Sequence, residues 1–137
     1  MSRARTAPPS RLRSPLGRAR GLGSAKEGVE HWIAQRITAV ALVPLALWFV
    51  AAMIGVVGAD YDTMQDWVGR PLPAIVLVLL LIATFYHAAL GLQVVIEDYV
   101  HGELARIGCV VVVRLVCVAL AIAGIVAVLS LALGVAD

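Results

Sequence analysis

Charge is scarce along this chain. Only 15% of its 137 residues are Asp, Glu, Lys or Arg, against 61% hydrophobic, and the mean hydropathy is +0.94. A soluble fold of that composition would have too little polar surface to cover itself, which leaves a small polytopic membrane protein built of helices. Cysteine is nearly absent as well: Cys109 and Cys117 stand eight apart in an apolar segment, with no Cys-x-x-Cys pair and no neighbouring histidine. Two such thiols cannot hold an iron–sulfur cluster and suit a buried structural role. If the protein handles electrons, the clusters that deliver them belong to another chain. Nucleotide loops, catalytic triads and zinc spacings are missing too, so no catalytic residue is assigned to this chain.

What charge there is lies unevenly. Arg3, Arg5, Arg11, Arg13, Arg18, Arg20 and Lys26 put seven of the eleven basic groups into residues 1–30, among prolines and glycines and without hydrophobic periodicity. Residues 1–30 are therefore expected as a basic cytoplasmic arm and residues 31–137 as the membrane domain. The arm lacks the apolar core of a secretory signal, although an Arg-rich, acid-poor start is also the composition of a mitochondrial transit peptide. Such asymmetry speaks to topology rather than to nucleic acid.

Beyond the arm lie three long apolar runs. Ile37 to Val57 is 21 residues without a charge, about 31 Å as a helix, enough to cross the hydrocarbon core. Leu72 to Ile96 is 25 uncharged residues, and Ile107 to Ala136 is broken only by Arg114. The spans are expected at about 34–57, 72–98 and 106–135, with Gly58 to Pro71 as a short external connection. Eight Lys and Arg lie at or before Arg36, one (Arg70) in the first loop, Arg106 in the second and none at the carboxyl end. The positive-inside rule then puts the amino terminus inside and the carboxyl terminus outside, gathering Arg36, Asp98, Tyr99 and Arg106 at the inner face.

The informative stretch is Tyr86 to His101, Tyr-His-Ala-Ala-Leu-Gly-Leu-Gln-Val-Val-Ile-Glu-Asp-Tyr-Val-His. His87, Gly91 and Asp98 fall on nearly one helical face, with Asp98 about 16 Å along the axis from His87. An ionisable residue inside a span is a functional candidate by default. Two readings of His87 stand: a core histidine bonded to a neighbouring carbonyl, or an axial ligand of a haem at mid-membrane. Gly91, Ala88 and Ala89 leave room for a flat macrocycle. His31 and His101 belong to the membrane edge, so a second axial ligand would come from another subunit. Asp98 and Tyr99 are either headgroup anchors or a site in which the Tyr99 hydroxyl donates to a quinone carbonyl, with Arg36 keeping Asp98 ionised. Arg114, about 12 Å deeper than Arg106, either snorkels to the surface or pairs with a haem propionate.

These residues resemble those of the small hydrophobic membrane-anchor subunit of succinate dehydrogenase, respiratory complex II, in its bacterial form. The similarity rests on His87, Gly91 and Asp98-Tyr99 at their spacing, on His31-Trp32-Ile33-Ala34-Gln35-Arg36-Ile37-Thr38-Ala39, and on Ser14-Pro15-Leu16-Gly17-Arg18 with Gly21-Leu22-Gly23-Ser24-Ala25. The resemblance implies an all-α membrane protein of three transmembrane helices that packs with a sister three-helix anchor, the cytochrome b subunit, and docks a flavoprotein and an iron–sulfur protein. It implies that His87 is one axial ligand of a shared haem b, that Tyr99 hydrogen-bonds ubiquinone with Asp98 organising that site, and that Arg36 lies near the haem propionates and the quinone. The bacterial inner membrane is the location it implies. His101 departs from the basic residue that commonly follows the Asp-Tyr pair, and the arm is long for the family. Two rivals remain: the anchor of a related quinol:fumarate reductase, and a non-redox helical transporter or scaffold in which His87 relays protons.

Overall fold

The computed structural model describes residues 24–135, with side chains from residue 28 onward. The described residues form helices and connections without a strand: α1 (Ser24–Gly55), α2 (Tyr61–Val68), α3 (Pro71–Tyr99) and α4 (Glu103–Ala132). The chain divides at Trp32 into two units, and of the first the described part is helical. The second unit, from Ile33 onward, holds most of the first span and all of the other two.

Three helices are apolar and long enough to cross a bilayer, over Gly28–Gly55, Pro71–Tyr99 and Glu103–Ala132. At 1.5 Å per residue their 28 to 30 residues reach about 42–45 Å. That exceeds a hydrocarbon core of about 30 Å, so their ends extend into the headgroup layers. The helix that holds the first span begins before residue 34. Residues 24–30, assigned to the arm, are helical, because Ala25, Lys26 and Glu27 are good helix formers and a helix outside the hydrocarbon needs no apolar periodicity. Residues 1–23 of the expected arm lie outside the described residues.

The connection from Gly58 to Pro71 contains a helix that its polar composition does not announce. Asp60 caps α2 by accepting the Thr63 N–H at 3.0 Å, and hydrogen bonding from Thr63 holds its carboxyl below the ordinary carboxylate value of 3.8. At the other end Val68 is buried, and the Trp67 ring stacks on Trp48 of α1 with centroids 6.0 Å apart and planes 20° apart.

The helices α3 and α4 form the closest-packed pair. Leu90 and Cys117 are buried between them, in keeping with the role expected of Cys117, whereas Cys109 is exposed and does not take the buried place expected of it. At Gly124 a Cβ would lie 3.1 Å from both Leu81 methyls, so the missing side chain is what lets the pair close. The third span ends at Ala132 rather than near 135. Gly134 sits at φ 63°, with Val135 N–H bonding the Ser130 carbonyl at 3.0 Å and Gly134 N–H bonding that of Leu131 at 3.3 Å. This Schellman arrangement stops the helix although its sequence stays apolar.

By contrast α1 keeps its distance: among the described residues none of its α-carbons comes within 8 Å of one on another helix. Long side chains bridge the gap. Large apolar residues remain exposed along all three spans, Val40, Leu47, Ile54, Leu72, Leu115 and Ile122 among them. Bilayer and partner surfaces, rather than an internal core, are what such side chains suit.

Candidate functional site

His87 lies on the side of α3 that meets α1. Its ring is half-buried, and Nδ1 lies 2.9 Å from the Thr38 hydroxyl of α1. One turn further along α3, the place a Gly91 Cβ would take is 3.7 Å from the Gln35 amide nitrogen, so here the nearest group to that glycine is Gln35. The two contacts fix an antiparallel register in which Thr38 stands opposite His87 and Gln35 opposite Gly91. Nε2 of His87 has no hydrogen-bond partner among the described residues, and it is not one of their shielded unsatisfied polar atoms.

That register moves one expectation. Arg36, next to Gln35, stands near the level of Gly91, and seven residues of α3 separate Gly91 from Asp98, about 10 Å along the axis. Arg36 therefore belongs to the depth of the histidine more than to that of Asp98 and Tyr99. Those two occupy the last turn of α3, exposed, and neither makes a side-chain hydrogen bond or ion pair among the described residues; the expected Arg36–Asp98 pairing is not formed. The Tyr99 side chain is 78% exposed, which leaves its hydroxyl open to a ligand or a partner surface.

Arg114 is engaged elsewhere. Its Nη2 donates to Gln93 Oε1 at 2.6 Å, and Gln93 Nε2 donates to Glu97 Oε1 at 2.7 Å. Gln93 is six residues past His87, roughly 120° around α3 from it. The chain of bonds thus runs along the α3–α4 seam toward the end of α3, the direction snorkelling requires. Sequence reasoning passes over Gln93; its signal is its position, the one amide in the second span, one turn before Glu97.

Two grooves lie along that same seam. One of about 520 Å³ runs past Phe85, Tyr86, Leu90, Arg114 and Cys117, and the other, of about 470 Å³, lies between Glu97, Arg106, Ile107 and Val110. Neither is lined by His87, Asp98 or Tyr99. Among the described residues no three His, Cys, Asp or Glu side chains converge as a metal cage. His87 thus has no pair of further His, Cys, Asp or Glu side chains around it among the described residues.

Residues 10–132 match the model of the succinate dehydrogenase/fumarate reductase transmembrane subunit family. The succinate dehydrogenase hydrophobic membrane anchor subunit of Rickettsia bellii is 38% identical over 117 residues, covering 85% of this chain and 94% of that one. The protein of the same name from Paracoccus denitrificans is 35% identical over 89 residues, 65% of this chain and 69% of its own. The succinate dehydrogenase membrane anchor subunit of Reclinomonas americana is 30% identical over 96 residues, 68% of this chain and 80% of its own. No solved structure matches the chain. With three apolar helices of spanning length and a family match across nearly all of its residues, the chain belongs to the succinate dehydrogenase/fumarate reductase transmembrane subunits, as a multi-pass membrane anchor.

Proposed function

We propose that this anchor shares a b-type haem with a sister three-helix anchor and forms part of the site at which a succinate:quinone oxidoreductase reduces ubiquinone. The observation that carries the reading is the state of His87: Nδ1 is taken up by Thr38 while Nε2 has no partner among the described residues. An imidazole bonded at one nitrogen and open at the other is what an axial haem ligand requires. The residues present therefore fit the group: His87 would hold its iron, and Arg36, near the level of Gly91, would supply a cation for its propionates. Arg114, bonded to Gln93, serves the α3–α4 seam instead.

When bound, the haem supplies a one-electron centre within the bilayer. The chain's own residues do the rest. His87 orients, and the apolar faces of α1 and α3 exclude water. At the edge, Tyr99 donates its hydroxyl proton in a hydrogen bond to a quinone carbonyl, and the adjacent Asp98 orders that site close to the aqueous source of protons. Electrons from succinate oxidation reach this edge through a flavoprotein and an iron–sulfur partner docked on the cytoplasmic side of the bacterial inner membrane. The positive-inside bias of residues 1–36 favours that orientation. The same components also suit an anchor of a quinol:fumarate reductase running in reverse.

The test is His87→Ala in the assembled complex. Loss or displacement of the b-type absorbance is expected, with flavin content and succinate oxidation by an artificial acceptor retained. An unchanged spectrum refutes ligation.

A further inference from the structure

Thr38 lies 2.9 Å from the Ala34 carbonyl, 3.0 Å from that of Gln35 and 2.9 Å from His87 Nδ1. A hydroxyl has one proton to give. Both carbonyls can only accept, so with that proton turned to the preceding turn of α1 the Thr38 oxygen offers its lone pair to His87. In that arrangement Nδ1–H donates and Thr38 Oγ accepts, whereas Oγ–H donating to Nδ1 would put the imidazole proton on Nε2. With Nδ1 protonated, a neutral imidazole keeps its lone pair on Nε2.

We infer that Thr38 is the positioning residue for His87, fixing by this one bond both the tautomer that exposes the Nε2 lone pair and the plane of the ring. The inference rests on the proposed ligation and adds the residue that prepares the ligand. Three features of the structure converge on it. The bond crosses from α1 to α3, where no α-carbons approach within 8 Å, so backbone packing does not hold the ring from that side. Thr38 is β-branched and bonded back to its own helix, so its side chain has little rotamer freedom with which to follow a turning imidazole. Gln35, one turn earlier on the same helix, rests beside Gly91, so α1 presents a continuous polar edge to the ligand-bearing turn of α3. The helix without backbone packing against its neighbours thus governs the cofactor ligand.

The experiment uses the complete assembled complex carrying Thr38→Val, Thr38→Ser or His87→Ala, with flavin content and succinate oxidation by an artificial acceptor as the measure of assembly. Haem per flavin, the low-spin ferric signal, and the rate of haem loss to a haem-scavenging apoprotein are read on each. Outer ligands of this kind typically change metal affinity or activity by about 10- to 100-fold. Thr38→Val, which keeps the shape and removes the acceptor, is expected to lose haem at least ~10-fold faster and to shift the ferric signal, while Thr38→Ser behaves as the parent. Thr38→Val matching the parent while His87→Ala loses its haem overturns the role of Thr38 and leaves ligation standing. A Thr38→Ser complex as impaired as Thr38→Val also overturns it, because the hydroxyl would then not be what matters. Full haem with an unchanged signal in His87→Ala overturns ligation and this inference together. Should Thr38→Val fail to assemble, Thr38→Ala carries the same expectation and the same refutation.

Discussion

The two faces of α3 are built differently. Toward α4 it packs by shape: Leu90 and Cys117 are buried and Leu81 lies over Gly124. Arg114, Gln93 and Glu97 link side chains along that seam. Toward α1 it meets its neighbour through a few side chains, the Thr38–His87 bond and Gln35 beside Gly91, with Trp48 on Trp67 joining α1 to the short helix α2. Lipid gives little hydrophobic drive for helices to associate, so close packing needs small residues and loose packing needs directed bonds. The closed seam carries the scaffold. The looser one carries His87, with its Nε2 unengaged among the described residues.

Four changes break or sharpen that contrast. The largest effect is expected on the closed face: Gly124→Val puts methyls where Leu81 already lies and should destabilise the assembled complex by about 1–3 kcal/mol, seen as a lower thermal midpoint. Pairing it with Leu81→Ala should recover part of that loss, whereas strictly additive costs would show that the two residues do not share one contact. Next, Tyr99→Phe should lower quinone reduction by roughly 3- to 10-fold, the worth of one hydrogen bond, while electron delivery from succinate to an artificial acceptor stays intact. Equal loss of both activities would point to failed assembly. Removing the link along the seam with Gln93→Leu should cost about 0.6 kcal/mol, the mean for interhelical bonds in a membrane, and leave the haem spectrum alone. A spectral change there would return Arg114 to the haem. The smallest effect lies outside both seams. Thr63 holds Asp60 below 3.8, so the folded loop favours the ionised carboxylate. Its contribution is fully present above 3.8 and fades as pH falls through the lowered value. Asp60→Ala should therefore raise proteolysis of α2 at neutral pH and erase that acid dependence.

Much of the fold is readable from residue order alone, for identifiable reasons. Apolar length finds the three crossings, and the isolation of His87 in an uncharged run marks it for chemistry. Thr38 escapes notice because a first span beginning near residue 34 puts it at the membrane edge. Counted from Gly28, where the apolar helix starts, Thr38 lies about 15 Å along it, and His87 lies about 18 Å from Tyr99 at the end of α3, so the two stand at similar distances from their helix ends. The same shift lifts Arg36 away from Asp98. Charged residues hide that boundary, since a window that stops at Arg36 cannot see that the helix continues beneath it. The helix in the first loop is likewise concealed by its acids, although Asp60 with Thr63 three residues on is a capping spacing. The positive φ of Gly134 marks a helix stop, information that apolar composition does not carry.

The most direct test is a structure of the assembled, haem-loaded complex, read at one atom. The account predicts His87 Nε2 coordinating the iron, with Nδ1 still donating to the Thr38 hydroxyl and the opposite axial ligand supplied by a sister subunit. Iron bound through Nδ1, or an imidazole facing lipid with the haem held by other side chains, would contradict it.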